Sequence, residues 1–448
     1  VNQHQFDTVV VGSGTAAYFA ADGLNRAGQR VAIVDERPFG GTCALRGCQP
    51  KKYLVSNAEV VAMASHLVGR GIQGAPKTDW QALQNLKNAF LNGRSEAELA
   101  QWRKAGVLPF QGHAVMTGET EVTVSDHRLR ANHIVLATGS VPRPLSIPGN
   151  QYIRDSEYFL NMPELPERVV FIGGGYIAFE FAHIAAHAGA REVTILHRSA
   201  RPLKRFDPDM VAVVLAASAS AGIRVVVDET PKRVQTAAGK LTLEGSTGAG
   251  YSADLIIRAT GRIPNLSVLE GGHGHVDHSR RGITVNPFMQ SVSNKQVYAV
   301  GDCAATAHML APVADAEGKT AALNIAEGNS HSIDYSVVPS ALFTLPPIGT
   351  VGLTEAQARE KGLDFTIHQG DTTGWPSSKR IGEAHGAFKI LIDNRTDRIV
   401  GAHIARHNAA EAINVLALAM QHQIKAADLA ELMWAYPTST SDLKYMVQ

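Results

Sequence analysis

The chain is poor in cysteine: only Cys43, Cys48 and Cys303 occur in 448 residues. That excludes the disulfide framework of a small secreted scaffold and points to a reducing, cytoplasmic setting. Neither charge is in excess, with 42 Lys and Arg against 41 Asp and Glu and a net charge of +1. Nucleic acids and acidic membranes are held by basic fields, so neither is expected as a partner. No uncharged apolar run reaches the ~18 residues of a membrane-spanning helix. No charged start followed by an apolar stretch marks a signal peptide, although the first residue is Val rather than Met. No low-complexity segment is present, and no residue cluster is assigned to a metal. Length alone exceeds what one core organises, so two or three domains are expected.

What is present is a repeated strand, glycine turn, helix, strand unit. DTVVVGSG, AAYFAADGLNRAG and QRVAIVDE form the first copy, and RVVFIGGG, YIAFEFAHIAAHAG and REVTILHR the second. Two such units imply two bound nucleotides. Residues 75–105 read as helical, and DLIIRATGRIPN and VYAVGDCA as strands ending in small or acidic residues. After about residue 335 the strands GTVGL, FKILIDN and IVGAHI alternate with alanine-rich helices (AAEAINVLALAMQHQ, AADLAELM), which reads as a separate α+β domain.

In the first turn, Gly12, Gly14, Thr15 and Ala16 fit a dinucleotide fingerprint. Small residues let the backbone approach a pyrophosphate at a helix N-terminus. Asp35, ending the next strand, is placed to accept hydrogen bonds from a ribose. In the second turn, Gly173, Gly175, Tyr176 and Ile177 are followed by His197 and Arg198, where an NAD site carries an acid. Arg198 and Lys204, helped by His197, would favour a 2′-phosphate, so NADPH is expected ahead of NADH. The bland reading of this basic cluster is a solvated loop. Cys43 and Cys48 lie in GGTCALRGCQPKK. In a regular helix their Cα atoms would stand roughly 8–9 Å apart, beyond the ~7 Å limit of a disulfide. Gly47 and Pro50 are suited to distorting that helix, and a helix start lowers a thiol pKa.

These motifs, with ATGSVP, GGGYIAFE, ATGRIPN, VYAVGDCA and LPPIGTVGLTE, resemble the flavoprotein pyridine nucleotide-disulfide oxidoreductases essentially end to end. The resemblance implies an α/β chain of two Rossmann-like nucleotide-binding domains and a C-terminal α+β dimerisation domain, assembled as a homodimer. The divisions it implies are an FAD-binding domain at 1–150 with a return segment at 271–335, an NAD(P)H-binding domain at 151–270, and an interface domain at 336–448. It implies FAD held by Gly12, Gly14, Thr15, Ala16, Asp35, Gly41, Thr42, Ala114, Thr138, Gly139, Asp302 and Ala311. The nicotinamide nucleotide would lie on Gly173, Gly175, Tyr176, Ile177, His197, Arg198, Lys204 and Gly261, with Tyr176 as its gate. Cys43 corresponds to the thiol that meets the substrate and Cys48 to the thiol facing the flavin. Lys51 would sit by the flavin and pair with Glu180.

The pattern breaks near the C-terminus. Disulfide-reducing members carry His-Pro-Thr-x-x-Glu there, whereas this chain reads Tyr436-Pro437-Thr438-Ser439-Thr440-Ser441. A tyrosine near pKa 10 is a poor base at neutral pH, and losing acid–base help typically costs about 10²–10⁴-fold. Mercuric reductases share the tyrosine but also carry a C-terminal cysteine pair, which does not appear here. Asp22 and the lack of tyrosine between residues 54 and 151 disfavour glutathione. A small-molecule acceptor is therefore expected: a disulfide or persulfide, or else a metal ion or quinone, with Tyr436 reaching the partner subunit's active site. A non-turnover redox sensor is the reading of another class. His308, His385 and His407 read as surface or packing residues, and Cys303 as packing.

Overall fold

The computed structural model describes residues 2–237 and 239–448. It divides into two compact units, one of Val1–Lys51, Lys87–Arg143 and Arg262–Tyr335, the other of Lys52–Leu86, Pro144–Gly261 and Ser336–Gln448.

In the first unit, strand Asn2–Val11 lies between Val31–Asp35 and His127–Leu136, parallel to both, with Leu108–Gln111 beyond one side and Val297–Ala299 beyond the other. A central parallel strand is covered on both faces and so reads as a continuous apolar run. Val9 and Val11 pack into one core and Val10 into the other, against helices Thr15–Arg26 and Ala311–Glu327. An antiparallel extension, Ala114–Gly118 and Glu121–Val124, continues from His127–Leu136.

The second unit repeats the parallel design in the order Ile223–Val226, Glu192–Leu196, Arg168–Ile172, Leu255–Arg258. The first strand of the motif stands inside the sheet, as in a nucleotide-binding half. Val169 and Phe171 face one core, Val170 and Ile172 another. A three-stranded meander (Pro231–Ala237, Lys240–Gly245, Gly250–Ala253) contributes Val234, Leu243 and Tyr251 to the latter. The unit also holds a five-stranded antiparallel sheet, ordered Ser340–Leu342, Ile348–Gly352, Arg398–Ala405, Ala387–Asp393, Phe365–Asp371. Helix Ala409–Gln421 packs Ile413 and Leu416 into the core beside it.

This is the mixed α/β architecture expected from the sequence, with local differences. The helical stretch 75–105 is two helices, Trp80–Leu91 and Arg94–Lys104, because Gly93 adopts φ +75° between them. AADLAELM gives only the short helix Ala426–Glu431. Among the described residues, no helix is long and apolar enough to cross a membrane.

Candidate active site

The first glycine turn is built by close backbone contact. A Cβ on Gly12, which has φ +118°, would lie 2.2 Å from the Ala137 carbonyl oxygen. A Cβ on Gly41 would lie 2.2 Å from the Cα of Gly14. Side chains are therefore excluded at Gly12, just before helix Thr15–Arg26, and at Gly41, which opens helix Gly41–Leu45 against Gly14. The Asp35 carboxylate accepts from Ser13 N (2.9 Å) and Ser13 Oγ (2.6 Å), and Ser13 Oγ accepts from Gly40 N. A bare helix start offers N–H donors to a dinucleotide's pyrophosphate, and the strand-end carboxylate beside it is an acceptor for the ribose hydroxyls. In the same unit, Thr138 Oγ1 donates to Asn265 O (2.6 Å), and Asn265 N donates to Gly139 O (2.9 Å). Asp302 accepts from Ser140 Oγ (2.7 Å), which in turn accepts from Arg262 Nε. Ala311 opens its helix at a half-buried position, while Ala114 is buried at the start of its strand.

Sequence reasoning missed Ser13, Ser140 and Glu317. Glu317 is fully buried and accepts from Gly301 N (2.6 Å) and Tyr335 Oη (2.8 Å). Burial pushes its carboxyl up. Its spacing from Asp302 carries no motif, so only the fold reveals that it braces the Asp302 turn.

The cysteine segment does break its helix. Helix Gly41–Leu45 stops, Arg46 and Gly47 turn, and helix Cys48–His66 begins. A Cβ on Gly47 would stand 3.0 Å from Thr42 O, so glycine lets the chain fold tightly here. Pro50 falls in the first turn of the new helix, where its missing N–H costs nothing. Cys43 and Cys48 are free thiols joined by a side-chain hydrogen bond, with Lys51 close enough to act on Cys43. That hydrogen bond and burial push the Cys43 thiol far up, against the pull of the Lys51 ammonium. The Cys43 thiol therefore resists ionisation in the reduced pair. Cys303, by contrast, is buried and donates to Leu136 O and Val300 O. Burial raises its thiol pKa, which makes it inert.

In the second unit, Gly173 (φ +116°) would place a Cβ 2.3 Å from Ala259 O, and Gly175 caps helix Tyr176–Ala188. Tyr176 is exposed at the head of that helix, Ile177 half-buried beside it, and Gly261 has φ +98°. His197 Nδ1 accepts from Gly174 N (3.1 Å), and its Nε2 lies 3.0 Å from Arg201 O. Those bonds assign a neutral imidazole with the proton on Nε2, and burial lowers its pKa. His197 therefore shapes the turn, while exposed Arg198 and Lys204 carry the charge. Glu180 is buried and accepts from Phe343 N (3.0 Å). Lys51 belongs to the other unit.

Tyr436 is 70% exposed, beside Leu432 and Met433 at 53% and 97%. Ser441, standing where the family carries glutamate, donates through Oγ to Thr438 O (2.6 Å), and its N–H donates to Thr438 Oγ1 (3.0 Å). His385 and His407 line a cavity of about 450 Å³ in the second unit, with His66, His187, Phe343 and Pro346. Among the described residues, no group of three or more His, Cys, Asp or Glu is arranged to hold a metal ion.

Residues 6–318 match the family model described as pyridine nucleotide-disulphide oxidoreductase, and residues 338–447 match the dimerisation domain of the same family. The chain belongs to the pyridine nucleotide-disulphide oxidoreductases. A mercuric reductase of Lysinibacillus sphaericus is 31% identical over 99% of this chain and 82% of its own length. A glutathione reductase of Nostoc sp. is 31% identical over 98% of this chain and 99% of its own. The HOCl-induced flavoprotein disulfide reductase RclA of Escherichia coli, solved as a Cu(II) complex, superimposes with a TM-score of 0.89 at 24% identity, over 99% of both chains, and supports the fold. As a member of this family, the chain is an FAD- and NAD(P)H-dependent oxidoreductase. The glycine cradle and Asp35 fit the adenine dinucleotide of FAD.

Proposed function

We propose that this chain is an NADPH-dependent reductase whose Cys43–Cys48 pair delivers electrons to a small disulfide, persulfide or other thiol-reactive acceptor. The observation that carries this reading is the helix break at Arg46–Gly47, which sets the two thiols in hydrogen-bond contact beside Lys51. Bound FAD would supply the two-electron relay between the nicotinamide and the cysteines, and Gly12, Gly14, Asp35, Gly41 and Asp302 would hold it. Arg198 and Lys204 would receive the 2′-phosphate that distinguishes NADPH.

With a disulfide acceptor, the Cys43 sulfur attacks one acceptor sulfur and expels the first thiol. Cys48 then attacks Cys43, expels the second thiol and closes the Cys43–Cys48 disulfide. The two cysteine protons leave on the two product thiols, and the acceptor gains two electrons. Lys51 favours the attacking thiolate, and Glu180 is the carboxylate proposed as its partner. Tyr436, in the interface domain of a homodimer, would offer its hydroxyl as hydrogen-bond donor to the partner subunit's departing thiol. The exposed Leu432, Met433 and Tyr436 support a covered, subunit-facing role. The few cysteines support a reducing, cytoplasmic compartment.

A second reading, reduction of a thiophilic metal ion bound by the same thiols, is favoured by tyrosine rather than histidine at 436. Steady-state NADPH oxidation with bis(hydroxyethyl) disulfide, Hg(II), Cu(II) and a quinone, in wild type and Cys43→Ser, tests both. Disulfide or metal turnover that Cys43→Ser abolishes supports cysteine-mediated transfer. Quinone turnover that survives Cys43→Ser, with no disulfide or metal turnover, would reject it. Binding of NADPH without turnover would leave the sensor reading.

A further inference from the structure

The segment carrying Tyr436 is pinned to the scaffold by charges that no motif announces. Arg406, just past strand Arg398–Ala405, is 3% exposed and donates through Nη1 to Asp442 Oδ2 (2.9 Å). Its Nη2 donates to Ser377 Oγ (2.7 Å), and Ser377 Oγ donates to the same Asp442 oxygen. The Trp375 ring centroid lies 5.5 Å from the guanidinium carbon. Three segments distant in sequence therefore meet at one buried guanidinium. At the other end of the loop, Trp434 Nε1 donates to Leu429 O (3.1 Å). Between these anchors the tip is stitched to itself by the Thr438–Ser441 bonds.

A buried ion pair is seldom the most stabilising way to fill such a space, because both ions lose their hydration. What it does impose is geometry: the planar guanidinium fixes Asp442 and Ser377 in direction as well as distance. Ser441 and Asp442 thereby both serve the framework of the loop, which leaves Tyr436 exposed on a tip held at each end.

We propose that the Arg406–Asp442–Ser377 cluster is a positioning device that presents Tyr436 to the acceptor. This rests on the reading above that Tyr436 serves the acceptor half of the reaction. It acts through the loop and touches neither substrate nor cofactor.

The test uses the FAD-loaded enzyme with bis(hydroxyethyl) disulfide, comparing Asp442→Asn, Tyr436→Phe and the double variant. Misplacing a reacting group by about 1 Å costs up to ~100-fold. Asp442→Asn is therefore expected to lower acceptor kcat/KM by about 10- to 100-fold while leaving the anaerobic rate of electron uptake from NADPH unchanged. The double variant should be no slower than the slower single variant, and Asp442→Glu should recover most of the loss. Should Asp442→Asn not fold, Ser377→Ala, which keeps the ion pair, is expected to give a smaller loss confined to the acceptor half. Additive losses, equal losses in both half-reactions, or a normal Asp442→Asn or Ser377→Ala beside an impaired Tyr436→Phe would overturn the proposal. A normal Tyr436→Phe would instead remove the role given to Tyr436 itself.

Discussion

Gly318→Ala is expected to loosen FAD without touching it. Helix Ala311–Glu327 crosses the nucleotide helix Thr15–Arg26 so closely that a Cβ on Gly318 would lie 2.3 Å from Ala16 O and 3.2 Å from Ala20 N. Non-bonded heavy atoms settle near 3.5 Å, so the helices must part by about 1 Å. Overpacking of this kind costs about 1–3 kcal/mol. The displaced helix begins at Gly14 and Thr15, whose backbone is assigned to the pyrophosphate. Expressed wholly in cofactor affinity, that cost raises the FAD Kd about 5- to 150-fold. FAD fluorescence in the filtrate of serially diluted protein reads the loss, and the thermal midpoint should recover when excess FAD is added. Gly28→Ala is the control. Gly28 has φ +80° with nothing within 4 Å of an added Cβ, so only backbone strain of about 1–2 kcal/mol is introduced, away from the cradle. Equal FAD retention in Gly318→Ala and Gly28→Ala would refute the reasoning.

Burial depresses His183 to about 3 and His187 to about 4. The unfolded chain therefore binds more protons below pH 6.5, and stability falls as pH drops from 6.5 toward those values. From pH 7 to 5 each histidine should cost about 2 kcal/mol. The urea midpoint of His183→Gln should move correspondingly less over that range, and an unchanged pH dependence would contradict the assignment. Arg198→Ala and Lys204→Ala should raise the KM for NADPH roughly tenfold or more, a charged hydrogen bond being worth about 1.5–3 kcal/mol. NADH should be little affected, so equal effects on both nucleotides would return these residues to the status of a solvated loop. Gly47→Ala, with Thr42 O 3.0 Å and Thr42 Cγ2 3.3 Å from the new Cβ, should disturb the cysteine pair. Slower acceptor reduction at an unchanged rate of NADPH-driven reduction is the expected signature, and wild-type kinetics would show that the turn accommodates the methyl.

The nucleotide units were legible because glycine turns between an apolar run and a helix leave a strong local pattern: Gly12 and Gly173 both need positive φ and both abut a carbonyl from a neighbouring strand-end residue. The helix break at Gly47 was likewise anticipated from residue type. The meander Pro231–Ala237 to Gly250–Ala253 escaped because its strands are short, the last only four residues long, and Pro231–Ala237 buries a single residue, Val234. Glu317, His197 as a turn-holder and the Arg406–Asp442 cluster escaped for another reason. Their partners lie 16, 23 and 36 residues away, and no spacing rule links residues whose contact is made only by the folded chain.

Electron delivery to the Cys43–Cys48 pair is read most directly by alkylating oxidised, FAD-loaded enzyme before and after one equivalent of NADPH under anaerobic conditions. Each sample is quenched into denaturant that holds the alkylating agent, so that buried thiols also react, and is then mapped by mass spectrometry. Cys303, a buried thiol outside the pair, should be labelled in both samples and serves as the internal standard. Cys43 and Cys48 should be unlabelled before NADPH and fully labelled after it. NADPH consumed while both cysteines stay unlabelled would place the pair outside the path of the electrons.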